Sequence, residues 1–179
     1  HTAHESLPRL LDLGQSLLDQ YRDRGYEFRA VGFGYGGQFD RAAQRAMQCF
    51  HEDGWESLDV IAAVAQRYGL PVAMENDCKL AALAEAQLGA GRGGRTVFYI
   101  TIGTGIGGGV VRDGRILELG DQGEAEIGHM TIDPAGAIAC GCGKRGCLEA
   151  YCSGPGLVSL TRHLAAGWRG HALANDAVD

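Results

Sequence analysis

Apolar residues recur along this chain at spacings regular enough to assign most of it to helices and strands. Leu7, Leu10, Leu11, Leu13, Leu17, Leu18 and Tyr21 keep the three-to-four-residue spacing that lines one helix face, and Gly25 is placed to stop it. Residues 28–34 read as a short strand running into a glycine turn, GFGYGGQFD, over 32–40, and 45–50 as another short strand. Residues 58–68 are an amphipathic helix ended by Gly69 and followed by Pro71. A short buried strand over 72–75 and an Ala/Leu-rich helix over 77–88 follow. The cluster GAGRGG, at 89–94, is the most linker-like stretch.

Beyond it, β-branched and aromatic residues over 96–102 read as a strand, GTGIGGG at 103–109 as the turn, and Val110–Val111 as the start of the return strand. Asp113–Gly114 is a tight-hairpin turn signal. Helix is expected over 148–151 and 156–166, and the tail after Gly167 shows no usable pattern. Strands alternating with helices indicate an α/β fold, and the linker suggests two lobes, residues 1–90 and 91–179, with a cleft between them. There is no internal repeat and no low-complexity segment.

Composition alters this picture in a few respects. With 45% hydrophobic and 21% charged residues the chain is ordinary for a globular protein, but its 29 glycines suit a site built from close backbone approach. A net charge of −6 argues against nucleic acid as a partner, since phosphate neutralisation needs a basic face. No apolar run reaches membrane-spanning length and no charged-then-apolar leader is visible, so no membrane partner is expected. Three of the six cysteines cluster and the others, Cys49, Cys78 and Cys152, are scattered, which suits a reduced, cytoplasmic protein. The chain begins at His1 without an initiator Met, as a fragment or processed product would.

The clustered cysteines are the strongest chemical signal. His129, Cys140, Cys142 and Cys147 offer one imidazole and three thiols inside the Gly-rich segment HMTIDPAGAIACGCGKRGCLE. Four N/S ligands are what a tetrahedral Zn²⁺ takes, and Cys-x-Cys-x4-Cys lets a short loop, 129–147, close around the ion. Reduced cysteines packed as small hydrophobes are the competing explanation. The ligand number and spacing favour structural zinc.

Three further constellations carry candidate chemistry. Asn76–Asp77 stands where a strand ends and a helix begins; either residue can be a helix cap, and taken alone the cap is the better explanation. An aspartate there can also take a proton from a hydroxyl nucleophile. GTGIGGG is either a flexible turn or a nest of backbone N–H groups that receives phosphate oxygens alongside the Thr104 hydroxyl. It lacks the Gly-Lys-Ser/Thr ending of a Walker loop and the strand-to-helix setting of a dinucleotide fingerprint. Glu126, His129 and Glu149 flank the metal loop, where carboxylates and an imidazole can hold the hydroxyls of a small polyol. Solvated surface charge is the ordinary fate of glutamate and the competing explanation here.

Taken in order from about Ala30 to Gly156, these motifs resemble the ROK family (repressor, open reading frame, kinase) of bacterial sugar kinases and sugar-responsive repressors. The resemblance implies an α/β, actin/hexokinase-like (ribonuclease H-like) two-lobed fold, here incomplete, with a zinc-binding loop. It makes Asp77 the general base for the sugar hydroxyl and places Gly37, Asn76, Asp77, Glu126, His129 and Glu149 at the sugar. Gly103, Thr104, Gly105, Gly107 and Gly108 become the second phosphate loop for Mg-ATP. His129, Cys140, Cys142 and Cys147 become the zinc ligands, His129 bridging metal and sugar. The Glu-x-Gly-His form is more like glucose and N-acetylhexosamine kinases than fructokinases, and a homo-oligomer, often a dimer, is implied.

The departures bear on activity. No Asp-x-Gly-Gly-Thr hairpin precedes Ala30 and no adenosine-binding segment follows the zinc loop, so the 179-residue chain alone is expected to be inactive. The Gly-Pro-Gly type of sugar loop appears as Gly36–Gly37 without proline and should be looser. His51, Glu52 and Asp53 precede Gly54–Trp55 where the family often has Asn, and Lys79 replaces a small or amide residue. The expected function is ATP-dependent phosphorylation of a hexose or N-acetylhexosamine. The alternative is the sugar-binding effector domain of a repressor, which needs a helix-turn-helix that residues 6–25 do not supply. A structural zinc domain without ligand fits the four motifs poorly.

Overall fold

A computed structural model describes residues 2–47, 49, 52–118 and 125–167. Phe50 and His51, and the tail beyond Gly167, lie outside the described residues. The chain divides into two compact units, the first running to Ala81 and taking in Glu118, the second containing residues 82–117 and 125–167.

In the first unit, helix α1 (Ala3–Arg22) opens with the Thr2 amide donating to Glu5 Oε2 at 3.3 Å, one half of a capping box. Strand β1 (Val31–Tyr35) pairs in parallel with β4 (Val72–Asn76), in register from Val31↔Val72 to Tyr35↔Asn76. Between them come a two-residue hairpin, β2 (Phe39–Asp40) with β3 (Arg45–Ala46), and helix α2 (Val60–Tyr68). The Asp59 carboxylate caps α2 by accepting from the Ala62 amide at 2.9 Å, and Gly69 ends it in the left-handed region at φ 67°. Leu7, Tyr35, Trp55, Val60, Val64 and Met74 form the core, where Tyr35 meets Trp55 edge-on at 5.7 Å.

One sequence expectation is corrected here. Of the strand read over 45–50, Arg45–Ala46 is strand, paired with Phe39–Asp40, and Met47 and Cys49 are not, while Gln48 and Phe50 lie outside the described residues. The apolar face of α1 is not wholly core: Leu7 and Leu18 are buried, whereas Leu10, Leu13 and Leu17 are exposed. Leu10, Leu17 and Tyr21 instead line, with Phe28, Val31 and Phe33, an open apolar groove of about 600 Å³.

Helix α3 (Asp77–Gln87) leads into the second unit, where β5 (Thr96–Ile102), β6 (Ile106–Arg112) and β7 (Arg115–Ile116) make an antiparallel sheet. Asp113 and Gly114, both at positive φ (50° and 76°), form the two-residue turn between β6 and β7 that Asp-Gly signals. The turn between β5 and β6 is shorter than the glycines suggest. Strand β6 begins at Ile106, not Val110, with Gly107, Gly108 and Gly109 paired to Thr101, Ile100 and Tyr99. Glycine is needed at 108 for proximity: a Cβ there would lie 2.9 Å from the Tyr99 carbonyl oxygen. Short helices α4 (Leu148–Cys152) and α5 (Gly154–Gly167) complete the unit. No helix of the described residues is long and apolar enough to cross a membrane.

Candidate functional site

In the first unit, the register Tyr35↔Asn76 brings the carboxyl ends of two parallel strands together, the position where open α/β sheets bind ligands. Asn76 is the cap of α3: its Oδ1 accepts from the Lys79 amide at 3.1 Å. Its Nδ2 donates to the Gly37 carbonyl at 3.0 Å and to the Tyr35 carbonyl at 3.5 Å, holding the Gly36–Gly37 turn against β4. With capping assigned to Asn76, the Asp77 carboxylate needs another explanation. Asp77 is exposed in the first turn of α3, where the helix dipole favours the anion. One of its oxygens accepts from the Cys78 amide at 2.8 Å. Its Oδ2 lies 3.6 Å from where a Gly36 side chain would begin, so glycine keeps the space in front of the carboxylate open.

Sequence reasoning missed Arg41 and Glu75. Glu75 is buried, ion-paired with Arg41, and its Oε1 accepts from the Asn76 amide at 2.9 Å. A charged residue closing a buried strand directly before Asn76 was the available signal.

In the second unit the loop Gly103-Thr104-Gly105 joins β5 to β6, with Gly103 and Thr104 exposed. Two nearby amides are already committed. Gly103 N–H donates to the Gly105 carbonyl at 2.9 Å, and Ile106 N–H to Glu149 Oε2 at 2.7 Å. Glu149 thus clamps the start of β6, and a side chain at Gly105 would stand 2.7 Å from that carboxylate oxygen. Of the five residues expected at phosphate, Gly103, Thr104 and Gly105 form the loop, while Gly107 and Gly108 lie within β6.

A short 3-10 turn, Ile127–His129, lies against β6, so close that a Cβ on Gly128 would be 2.1 Å from the Ile106 carbonyl oxygen. This approach places the two nitrogens of His129 on different neighbours. Nδ1 faces Cys140 Sγ at 3.6 Å, and Nε2 faces the exposed Glu126 carboxylate at 4.0 Å. Such a division leaves one nitrogen for a metal and the other to donate to an acceptor.

The ligand atoms of His129, Cys140, Cys142 and Cys147 lie within 4.8 Å of one another. Cys142 and Cys147 Sγ are 3.8 Å apart. Tetrahedral zinc, with Zn–S about 2.3 Å and Zn–N about 2.0–2.1 Å, calls for S···S near 3.8 Å and S···N near 3.6 Å. The donor set and these two spacings, Cys142–Cys147 and His129–Cys140, therefore fit Zn²⁺. Burial, then the adjoining Cys142 and Cys140 thiols, push the Cys147 thiol up to about 12. Burial also raises Cys140. At Cys142 burial acts in the same upward sense but is outweighed by the Lys144 amide and the neighbouring thiols, leaving it below the usual thiol range. A divalent cation would remove this mutual opposition by stabilising all three thiolates.

The loop has its own scaffold. The Asp133 carboxylate accepts from the Ala135 and Ala137 amides at 3.0 and 2.9 Å and from the Tyr151 hydroxyl. Arg145 Nε and Nη2 donate to the Gly136 and Ala137 carbonyls at 2.6 and 2.7 Å. Gly146, at φ 78°, passes so near the Asp133 carbonyl that a Cβ would be 2.0 Å away.

The family model described as the ROK family matches residues 1–178. A glucokinase of Streptomyces coelicolor is 42% identical over 143 residues, which cover 79% of this chain and 44% of that protein. The DNA-binding transcriptional repressor Mlc of Escherichia coli is 38% identical over 113 residues, 63% of this chain and 27% of the repressor. Among solved structures, a ROK family glucokinase from Streptomyces griseus in complex with glucose and AMPPNP superposes with a TM-score of 0.73 at 30% identity, covering 98% of this chain and 63% of that one. The chain thus spans less than half the length of the curated relatives it matches here.

Proposed function

The chain belongs to the ROK family, and from that premise we propose that its full-length protein is an ATP-dependent kinase of a hexose or N-acetylhexosamine. The observation that carries this reading is the division of labour at Asn76–Asp77. Asn76 takes the cap and ties down the Gly37 turn, while Asp77 keeps an exposed carboxylate at a strand end. Asp77 then serves as general base, taking the proton of the sugar hydroxyl, the 6-OH for a glucose-like substrate, as that oxygen attacks the γ-phosphate. Gly37, Asn76, Glu126, His129 and Glu149 orient the sugar. Thr104 and Gly105 offer backbone N–H groups, and Thr104 its hydroxyl, that suit phosphate oxygens, with Gly103 shaping the turn through its own N–H to the Gly105 carbonyl and Gly107 and Gly108 giving a strand without side chains behind them. Mg-ATP supplies the phosphoryl group; the chain's own contribution is positioning and electrostatics.

Zinc at His129, Cys140, Cys142 and Cys147 has a structural role in this reading. Held by these four side chains it would fix the His129 ring, whose Nε2 faces Glu126, and would close the loop between Glu126 and Glu149. The test is ADP release by the full-length protein with Mg-ATP against glucose, N-acetylglucosamine, N-acetylmannosamine, mannose, fructose and allose. Turnover with at least one of these is expected. Silence across the panel by folded, zinc-loaded protein would overturn the kinase reading. Sugar binding without turnover would favour the second reading, an effector domain of a repressor, which draws on the similarity to Mlc.

A further inference from the structure

Among the described residues Glu75 is the one buried ionisable carboxylate, 7% exposed, and it directly precedes Asn76–Asp77. A carboxylate out of water needs a counter-charge and filled lone pairs. Both are present. Arg41 Nη2 pairs with Glu75 Oε2, Arg41 Nη1 pairs with Glu118, and Glu75 Oε1 accepts from the Asn76 amide at 2.9 Å. Arg41 follows β2 immediately, so the loop from Gly36–Gly37 runs through the two residues of β2 into the β2–β3 turn that Arg41 opens. That loop therefore meets β4 at two ties, Asn76 Nδ2 to the Gly37 carbonyl at 3.0 Å and Arg41 to Glu75.

We propose that the Arg41–Glu75 pair is a positioning device that sets the Gly36–Gly37 loop against Asn76 and so tunes how tightly the sugar is held. The inference rests on the reading of Gly37, Asn76 and Asp77 as sugar-facing. Two adjacent glycines leave this turn with large conformational freedom, and no proline restrains it. One hydrogen bond to a carbonyl restrains it weakly. A guanidinium anchored to a buried carboxylate on β4 restrains it beyond β2, on a side chain that also accepts from the Asn76 amide. Neither Arg41 nor Glu75 needs to touch substrate for this; both act through Asn76 and the loop.

The test uses the full-length protein and its variants Arg41→Ala, Arg41→Lys, Glu75→Gln and the double Arg41→Ala/Glu75→Gln. Sugar affinity is measured by calorimetry, and KM for sugar and for ATP by ADP release, at a temperature where circular dichroism shows each variant folded. Arg41→Ala should weaken sugar binding by about tenfold, with KM for ATP held within about twofold. Arg41→Lys should recover part of that loss, and the double variant should bind sugar no worse than Arg41→Ala, since the two side chains act as one unit. If Arg41→Ala does not fold, Glu75→Gln, which keeps the side chain's size, should show the same selective rise in sugar KM. Unchanged sugar affinity with a lowered melting temperature would overturn the proposal, leaving the pair a stability element. A parallel rise in both KM values, or additive losses, would overturn it too. A parent that binds no sugar of the panel would remove the reading of the site itself, and the inference with it. A parent that binds while Arg41→Ala binds equally well would remove the inference alone.

Discussion

At Gly128 one methyl group has large consequences, because a Cβ would stand 2.1 Å from the Ile106 carbonyl oxygen, backbone that cannot swing aside. Gly128→Ala should destabilise the second unit by about 1–3 kcal/mol, the range for overpacking. Because His129 is the next residue, zinc content should fall as well. Thermal melts and metal analysis check both, and unchanged values would show that the contact with β6 is slack. Asp133 offers a pH-dependent counterpart. The Tyr151 hydroxyl, then the Ala137 amide, hold its carboxyl below the usual range. A depressed folded-state value stabilises above the unfolded value, about 3.9 for Asp, and that contribution is lost as pH falls through the folded one. Tyr151→Phe should therefore melt below the parent at neutral pH, with the gap closing as the pH drops below the carboxylate range. A gap independent of pH would show that the Tyr151 hydroxyl does not act through Asp133.

The zinc loop and the β5–β6 hairpin show what local sequence can convey about an element. The four candidate ligands were legible because metal geometry imposes residue type and spacing together, and the structure gathers all four side chains. One zinc per chain is expected by metal analysis. Cys147→Ser should lose it, and retention should fall with pH, since a thiol that burial pushes up to about 12 must give up its proton to bind. Zinc held equally at pH 5 and pH 8 would contradict thiolate ligation. The hairpin was legible only in outline. Gly107 to Gly109 carry turn-like composition, yet they lie in β6, where close approach to Tyr99 and Ala125, not chain reversal, calls for glycine at 108. Composition reports that a side chain is missing and leaves the reason open. The same limit hid Arg41 and Glu75, which are joined by a contact 34 residues apart in sequence that no periodicity registers. At Asn76–Asp77 the competing explanations, cap or base, were both visible, and hydrogen bonds give the cap to Asn76.

On the scale of the whole molecule, the α/β alternation and the motif order identified the family, because they depend on the sequence of elements and not on their exact bounds. What they could not show is how much apolar surface the 179 residues leave open. In the first unit Leu10, Leu17 and Tyr21 line an exposed groove; in the second Phe98, Ile100 and Ile102 are 51%, 48% and 67% exposed along one face of β5. The match to the Streptomyces coelicolor glucokinase covers only 44% of that protein. The isolated 179 residues should accordingly give no useful ADP release with any sugar that the full-length protein phosphorylates, and robust turnover by the isolated chain would refute this. The most direct test of the kinase reading is turnover of full-length Asp77→Asn at saturating sugar and Mg-ATP, with sugar affinity measured on the same sample. Loss of a general base should lower kcat by about 10²–10⁴-fold with sugar binding nearly intact. A kcat equal to the parent's would contradict the assignment of Asp77 as the base.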